Sequence, residues 1–190
     1  MTRRIRTSMS IAVLLIFAVS WLPGAAPVPR TSPEFTIYGP SGKQMLLSSF
    51  KGKVVMLEFL FIRSPKCLEL AQTMNKLSSE LGQRGFQPVA IAFPAPGSNA
   101  DGPSVAYIVD YFKLTYPVGY ATKASVDSYL GRTGSEILNI PQVVIIDRSG
   151  MIRATSGGRG GDPGLENENS LRSMIVGLLK ENAPVGSNKK

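Results

Sequence analysis

Nine residues, Val54 to Ile62 ("VVMLEFLFI"), form a nearly continuous apolar run. The run is too short for an ordinary helix and lacks the alternation of a strand with one wet face. It suits a strand buried on both faces, at the centre of a sheet that is at least partly parallel. The residues just after it predict a helix. Ser64 offers a helix N-cap and Pro65 fits the first helical position. Leu70, Met74, Leu77 and Leu81 then recur at helical spacing until Gly82 or Gly85. The strand carries one carboxylate, Glu58, and the junction "SPKC" holds the only cysteine of the chain, Cys67. A carboxylate inside such a strand is costly unless it is paired or protonated.

The same alternation of elements continues. Phe35 to Tyr38 reads as a short strand, followed by a turn at Gly39-Pro40-Ser41-Gly42; Met45 to Phe50 leads into a second turn at Lys51-Gly52-Lys53. Pro88 to Phe93 reads as a buried strand and Pro94 to Pro103 as a loop. Ser104 to Leu114 is expected to be a helix with Val105, Ile108, Val109 and Phe112 inward. Pro117 to Tyr120 reads as a short strand and Ala124 to Leu130 as a short helix. Pro141 to Asp147 and Met151 to Thr155 form a hairpin around Arg148-Ser149-Gly150, whose turn Asp147 is expected to shape. Gly157 to Asn169 is a glycine-rich insertion expected to be mobile, and Ser170 to Glu181 a closing helix with Leu171, Met174, Ile175 and Leu178 inward. The fold class is α/β: a central mixed β-sheet with helices on both faces and an N-terminal β hairpin extension. One domain, 35–183, is expected between a Pro-rich, solvated linker at 27–34 and a disordered tail at 184–190.

Residues 1–26 have the layout of an export signal. Arg3, Arg4 and Arg6 precede the apolar stretch Ile11 to Leu22, and Pro23-Gly24-Ala25-Ala26 come after it. The stretch is shorter than the roughly 20 residues that span a bilayer comfortably. It is read as a signal peptide or, if uncleaved, an N-terminal membrane anchor. The expected location is therefore the periplasm or the extracytoplasmic face of the membrane. Formal charge is +8, from 21 basic and 13 acidic residues. Without the three leader arginines, 18 basic against 13 acidic residues leaves +5. These charges are scattered, with no basic run of the kind that grips nucleic acid. There is no histidine and only one cysteine. That excludes a Cys-His or Ser-His-Asp pair, an internal disulfide, and the usual zinc sites. Nothing in the sequence calls for a metal or another cofactor.

Two segments carry a family likeness. "LSSFKGKVVMLEFLFIRSPKC" resembles the strand, Trp-Cys-x-x-Cys and helix of the redoxin group in the thioredoxin superfamily. The nearest types are the TlpA-type thiol–disulfide oxidoreductases and the alkyl hydroperoxide reductase–thiol-specific antioxidant family. "NIPQVVIIDRSGMI" resembles their second signature, a cis-proline before a strand, an Asp and a Gly turn. The resemblance covers about Phe35 to Asn182 and implies a thioredoxin-like fold. It places Ser64 where the attacking cysteine belongs, Cys67 on the resolving cysteine, Arg63 on the tryptophan, Pro141 on the cis-proline and Glu58 on the buried acid that handles the resolving thiol's proton.

Ser64 is the departure that matters. An alcohol cannot form a mixed disulfide, and dithiol exchange needs one sulfur to attack and another to resolve. Three readings remain. Cys67 acts as a single redox thiol, with Glu58 as proton acceptor, Pro141 orienting the substrate backbone, and Arg63 and Lys66 lowering the thiol pKa from the first helical turn. Or the domain binds a peptide without turnover, with Phe61, Ile62 and Tyr116 as apolar contacts. Or it is a one-cysteine peroxidase. Ser64-x-x-Cys67 matches the Thr/Ser-x-x-Cys half of the peroxiredoxin motif, but Leu60 stands where its proline belongs. Asn139-Ile140-Pro141 replaces its arginine, so Arg63 or Arg132 would have to substitute. The expected partners are a protein or peptide thiol or disulfide, or a peroxide. The bland alternatives are that Cys67 is an inert buried thiol and that Glu58 is neutralised by a nearby Lys or Arg.

Overall fold

The computed structural model of the chain describes residues 28–132, 138–157 and 161–181. The expected leader at 1–26 and the tail at 184–190 lie outside them. The central strand is β4, Val54–Leu60, and all seven of its residues are buried. It runs parallel to β5 (Phe86–Ala92) and antiparallel to β7 (Gln142–Ile146). The remaining strands are β1 (Arg30–Thr31), β2 (Thr36–Tyr38), β3 (Gln44–Leu46), β6 (Val118–Tyr120) and β8 (Met151–Thr155). They complete one eight-stranded mixed sheet in the order β1-β8-β7-β4-β5-β6-β2-β3. The β2–β3 hairpin is the expected N-terminal extension, and it joins the sheet by pairing Tyr38 with Tyr120. Close approach there depends on Gly119, where a Cβ would lie 2.4 Å from the Ile37 side chain.

Alternation along β4 divides the core in two. Val54, Met56 and Leu60 face a cluster built with α1 (Pro65–Leu81), α2 (Gly102–Tyr111) and α4 (Glu168–Lys180). Val55, Leu57 and Phe59 face a second cluster with Phe35, Ile37, Leu47, Phe50 and α3 (Lys123–Leu130). Glu58 is in phase with Met56 and Leu60, so its carboxyl belongs to the α1 face. On α1, Leu70, Met74, Leu77 and Leu81 are all buried, as their spacing requires. A 3-10 turn succeeds the helix and ends at Gly85, whose φ of +98° a side chain would disfavour.

Three expectations need correction. The stretch read as a solvated linker is partly sheet. Arg30 and Thr31 pair with Ile152 and Met151 of β8, Ser32 shares a 2.8 Å hydrogen bond with the Tyr129 hydroxyl, and the Glu34 carboxylate accepts from the backbone N–H groups of Phe35 and Ser48. An extended, proline-rich segment is well suited to an outer edge, where few backbone N–H groups must pair. In the glycine-rich insertion, Pro163–Glu166 form a 3-10 turn that buries Leu165 completely. Asn167 then caps α4 by accepting from the N–H groups of Asn169 and Ser170, so the helix starts two residues before the expected Ser170. Residues 158–160 of the insertion lie outside the described residues. Tyr116, a candidate contact residue, is core: it is buried, and its hydroxyl donates to the Ala71 carbonyl at 3.0 Å.

The Asp147 turn is as expected. One carboxylate oxygen accepts from the Ser149 and Met151 N–H groups and the Ser149 hydroxyl, and the other accepts from Arg153.

Candidate functional site

The two candidate segments meet at the carboxyl end of β4. Phe59 is in register with Gln142, so the preceding residue, Pro141, lies level with Leu60, where β4 ends. The Ile140–Pro141 peptide bond is cis. Gln142 is buried, and its side-chain amide donates to the Asn139 carbonyl at 2.7 Å, fixing the loop in front of the proline. The Val143 N–H donates to the Ser156 hydroxyl oxygen at 2.8 Å. The chain leaves β4 through Phe61 to Arg63. A turn closed by Ser64 N–H on the Phe61 carbonyl leads into α1, whose first bond runs from Leu68 N–H to the Ser64 carbonyl. Ile140 packs against both core clusters. Ile62 lies against the α1 side, while Phe61 lies on the other side with its ring 4.7 Å from that of Phe93. Phe61 and Ile62 are half-buried, leaving apolar surface at the edge beside the cis peptide.

Ser64 occupies the N-cap position with extended backbone angles, but its side chain makes no capping bond. Its hydroxyl lies instead where it favours the Cys67 thiolate. A backbone hydrogen bond from Phe61 acts in the same direction. Burial dominates both: Cys67 is 0 % exposed, and its pKa is raised above the ordinary thiol value, with the charges of Glu58 and Glu166 adding to the rise. Cys67 is therefore a neutral thiol at neutral pH.

Both cations expected beside the thiol face solvent. Arg63 is exposed and is not among the groups that move the Cys67 pKa. Nor is Lys66, which is 72 % exposed and pairs with Glu166 at 3.4 Å. The insertion contributes an acid, Glu166, whose charge opposes ionisation of the thiol. Sequence spacing held no hint of Glu166, which arrives 99 positions after Cys67 through the 3-10 turn after β8.

Glu58 is fully buried, and neither carboxylate oxygen has a hydrogen-bond partner. Burial pushes its pKa well above the carboxylate range, so it is held as the neutral acid. Among the described residues no lysine or arginine pairs with it. Its charge, when formed, would raise both Cys67 and the Tyr116 phenol. The three groups therefore share one dry space between β4 and α1.

Arg132 cannot polarise a peroxide at Cys67. It is engaged with Asp127 of α3, on the opposite face of the sheet. Asp127 also pairs with Lys123. Among the described residues there is no cluster of three His, Cys, Asp or Glu side chains able to hold a metal. No described helix is long and apolar enough to cross a membrane. Two cavities, of about 280 and 740 Å³, lie away from Cys67, one near the start of β4 and one beside β3.

Comparison with known proteins agrees with this geometry. No curated protein matches the chain at a significant level. Among solved structures, it is similar to a thiol:disulfide interchange protein of the thioredoxin family from Chlorobium tepidum TLS: 25 % identity, 82 % of this chain and 99 % of that one, TM-score 0.63. A thiol:disulfide interchange protein from Bacteroides sp. has 19 % identity, covers 84 % and 94 %, and gives a TM-score of 0.60. A secreted Mycobacterium tuberculosis disulfide oxidoreductase homologous to E. coli DsbE has 17 % identity, covers 76 % and 96 %, and gives 0.57. The latter two show the fold alone. The family model described as Redoxin matches residues 27–174. With that match, and a thioredoxin-like sheet whose cis-proline stands at the end of β4, the chain belongs to the Redoxin family.

Proposed function

We propose that this protein is an extracytoplasmic redoxin that engages polypeptide thiol or disulfide partners at the Phe61–Ser64 and Ile140–Pro141 edge, with its own redox capacity limited to one slow thiol, Cys67. The observation that carries this reading is the burial of Cys67, 0 % exposed, behind a Ser64 that by resemblance takes the place of an attacking sulfur. One sulfur can be oxidised or joined to another, but it cannot complete a dithiol cycle. The exported location rests on the charged and apolar leader, and similarity to a secreted oxidoreductase supports it. A neutral Glu58 could take the Cys67 proton only after losing its own. Proton acceptance by Glu58 therefore has to follow solvent entry and its own ionisation.

A one-cysteine peroxidase is the second reading, favoured by the Ser64–Cys67 contact that its motif requires. Against it stand the burial of the sulfur and the absence of Arg63, Lys66 and Arg132 from the groups that act on it.

Iodoacetamide labelling separates these readings. Folded Cys67 should stay unlabelled at pH 7 over the time in which the urea-unfolded chain reacts fully. Labelling should become appreciable only above the ordinary thiol value of 9.0. Rapid labelling at pH 7, with peroxide consumption lost in Cys67→Ala, would instead establish a reactive single-thiol peroxidase.

A further inference from the structure

The sheet ends at β3, far from the cis-proline edge. Four inter-strand steps separate β3 from β4, about 19 Å at ordinary strand spacing. In the β2–β3 ladder, Gly39 N–H donates to the Lys43 carbonyl and Leu47 N–H donates to the Phe35 carbonyl. Bonded pairs alternate in an antiparallel ladder, so Ile37 and Met45 form the pair between them. The backbone groups of Gln44 and Leu46 therefore point away from the sheet. The Leu46 carbonyl accepts the Ser49 hydroxyl at 2.6 Å, which leaves the Gln44 N–H, the Gln44 carbonyl and the Leu46 N–H facing outward.

Beside this edge lies the groove of about 740 Å³. Its walls are largely apolar, with Met45, Leu46, Val109, Tyr116, Pro117 and Val118 among them. The side chains of Gln44 and Leu46 share a face with Thr36 and Tyr38, opposite the face of Ile37, and so stand on the α2 side, where the groove runs. Leu46 is 46 % exposed. It and two tyrosines of α2, Tyr107 and Tyr111, are the large exposed hydrophobic residues among those described. Of these three, Leu46 lines the groove. The lining carries a single charge, Lys43, and no acid.

We propose that this edge is a docking site for an extended, acidic segment of a partner polypeptide. The segment would add to the sheet as a ninth strand next to β3, take the three outward backbone groups, place apolar side chains in the groove, and set a carboxylate against Lys43. Main-chain pairing supplies the affinity of such a site, and the groove and the charge select the sequence. A lysine on an edge strand repels basic strands and so guards against indiscriminate pairing. The same charge disfavours a second copy of this chain as the occupant, since each copy is net positive, +8 with the leader arginines and +5 without them.

The test uses the ¹⁵N-labelled full chain and two fluorescent peptides, acetyl-Glu-Val-Thr-Val-Glu-Val-Thr-amide and its counterpart with lysine for glutamate. The acidic peptide should bind about fivefold more tightly, the size of one exposed ion pair. Its amide shifts should fall on Lys43 to Ser49 and Val109 to Val118. Lys43→Glu should reverse the preference. Gln44→Pro removes an outward N–H without touching the β2 ladder, and it should abolish binding of both peptides. The proposal is overturned by equal affinity for the two peptides, by shifts at the Cys67 edge instead, by binding that survives Gln44→Pro, by no binding, or by sedimentation showing that β3 pairs with another copy of the chain.

Discussion

Ser64→Cys should give a protein that reduces insulin at the expense of dithiothreitol, a cycle that needs two sulfurs. The Ser64 side chain already reaches the Cys67 sulfur from the N-cap of α1. A sulfur at that position would sit three residues before Cys67, within the separation that a disulfide closes. It would also be less covered than Cys67, since Ser64 is only partly buried, and the helix N-terminus would favour its thiolate. In the expected cycle, the introduced thiolate attacks one sulfur of the substrate disulfide and expels the other as a thiolate. Cys67 then attacks the introduced sulfur, releasing the second substrate thiol and leaving an intramolecular disulfide. Dithiothreitol returns that disulfide to two thiols, so each turnover moves two electrons from reductant to substrate. Ser64→Cys combined with Cys67→Ala should stop at the mixed disulfide, visible as a covalent adduct on a non-reducing gel. If the single variant, once oxidised, retains two free thiols, then the end of β4 and the start of α1 do not hold the redoxin geometry.

The sequence was most legible where pattern and burial coincide. The run Val54 to Ile62 told both that a strand was present and that both its faces were covered, because no residue but Glu58 could bear water. The helix after Ser64 was legible from Pro65 and the Leu70-Met74-Leu77-Leu81 spacing. Gln142 was not singled out, although a lone polar residue opening an apolar strand just after Pro141 was a signal that could have found it. The errors came from contacts that no local pattern carries. Arg30 and Thr31 look like linker until β8 offers them an open edge. Leu165 sits among glycines and an Asp-Pro pair, and only its fit into the α1–α4 core orders its surroundings. The approach of Glu166 to Cys67 was not legible for the same reason. Arg63 and Lys66 are its neighbours in sequence, but solvent screens exposed cations, whereas Glu166 and Glu58 approach from other elements.

Stability of the protein should fall as pH rises through the neutral range, and Glu58 should be the cause. Its folded pKa lies well above 4.5, so the folded chain keeps a proton that the unfolded chain gives up. The contribution of this group is therefore complete below pH 4.5 and erodes as pH increases, by about 1.4 kcal/mol for each pH unit, until the buried carboxyl itself ionises. The window from pH 5 to 8 isolates the effect. Carboxylates held below their usual range, such as Glu34 and Asp147, lose their contribution only on the acid side, and Cys67 titrates above 9. Histidine, which would ordinarily dominate that window, is absent from the chain. Urea denaturation of the wild type at pH 5, 6, 7 and 8 should thus show a falling free energy, while Glu58→Gln, which cannot ionise, should give a flat profile over the same range. Glu58→Leu should also be flat, and should be more stable than Glu58→Gln by about 1–3 kcal/mol, because it removes a buried polar group with no partner. A wild-type profile as flat as that of Glu58→Gln would mean that water or a counter-charge reaches the carboxyl. Cys67 would then lie in a wetter site and be a more reactive thiol than a neutral Glu58 allows.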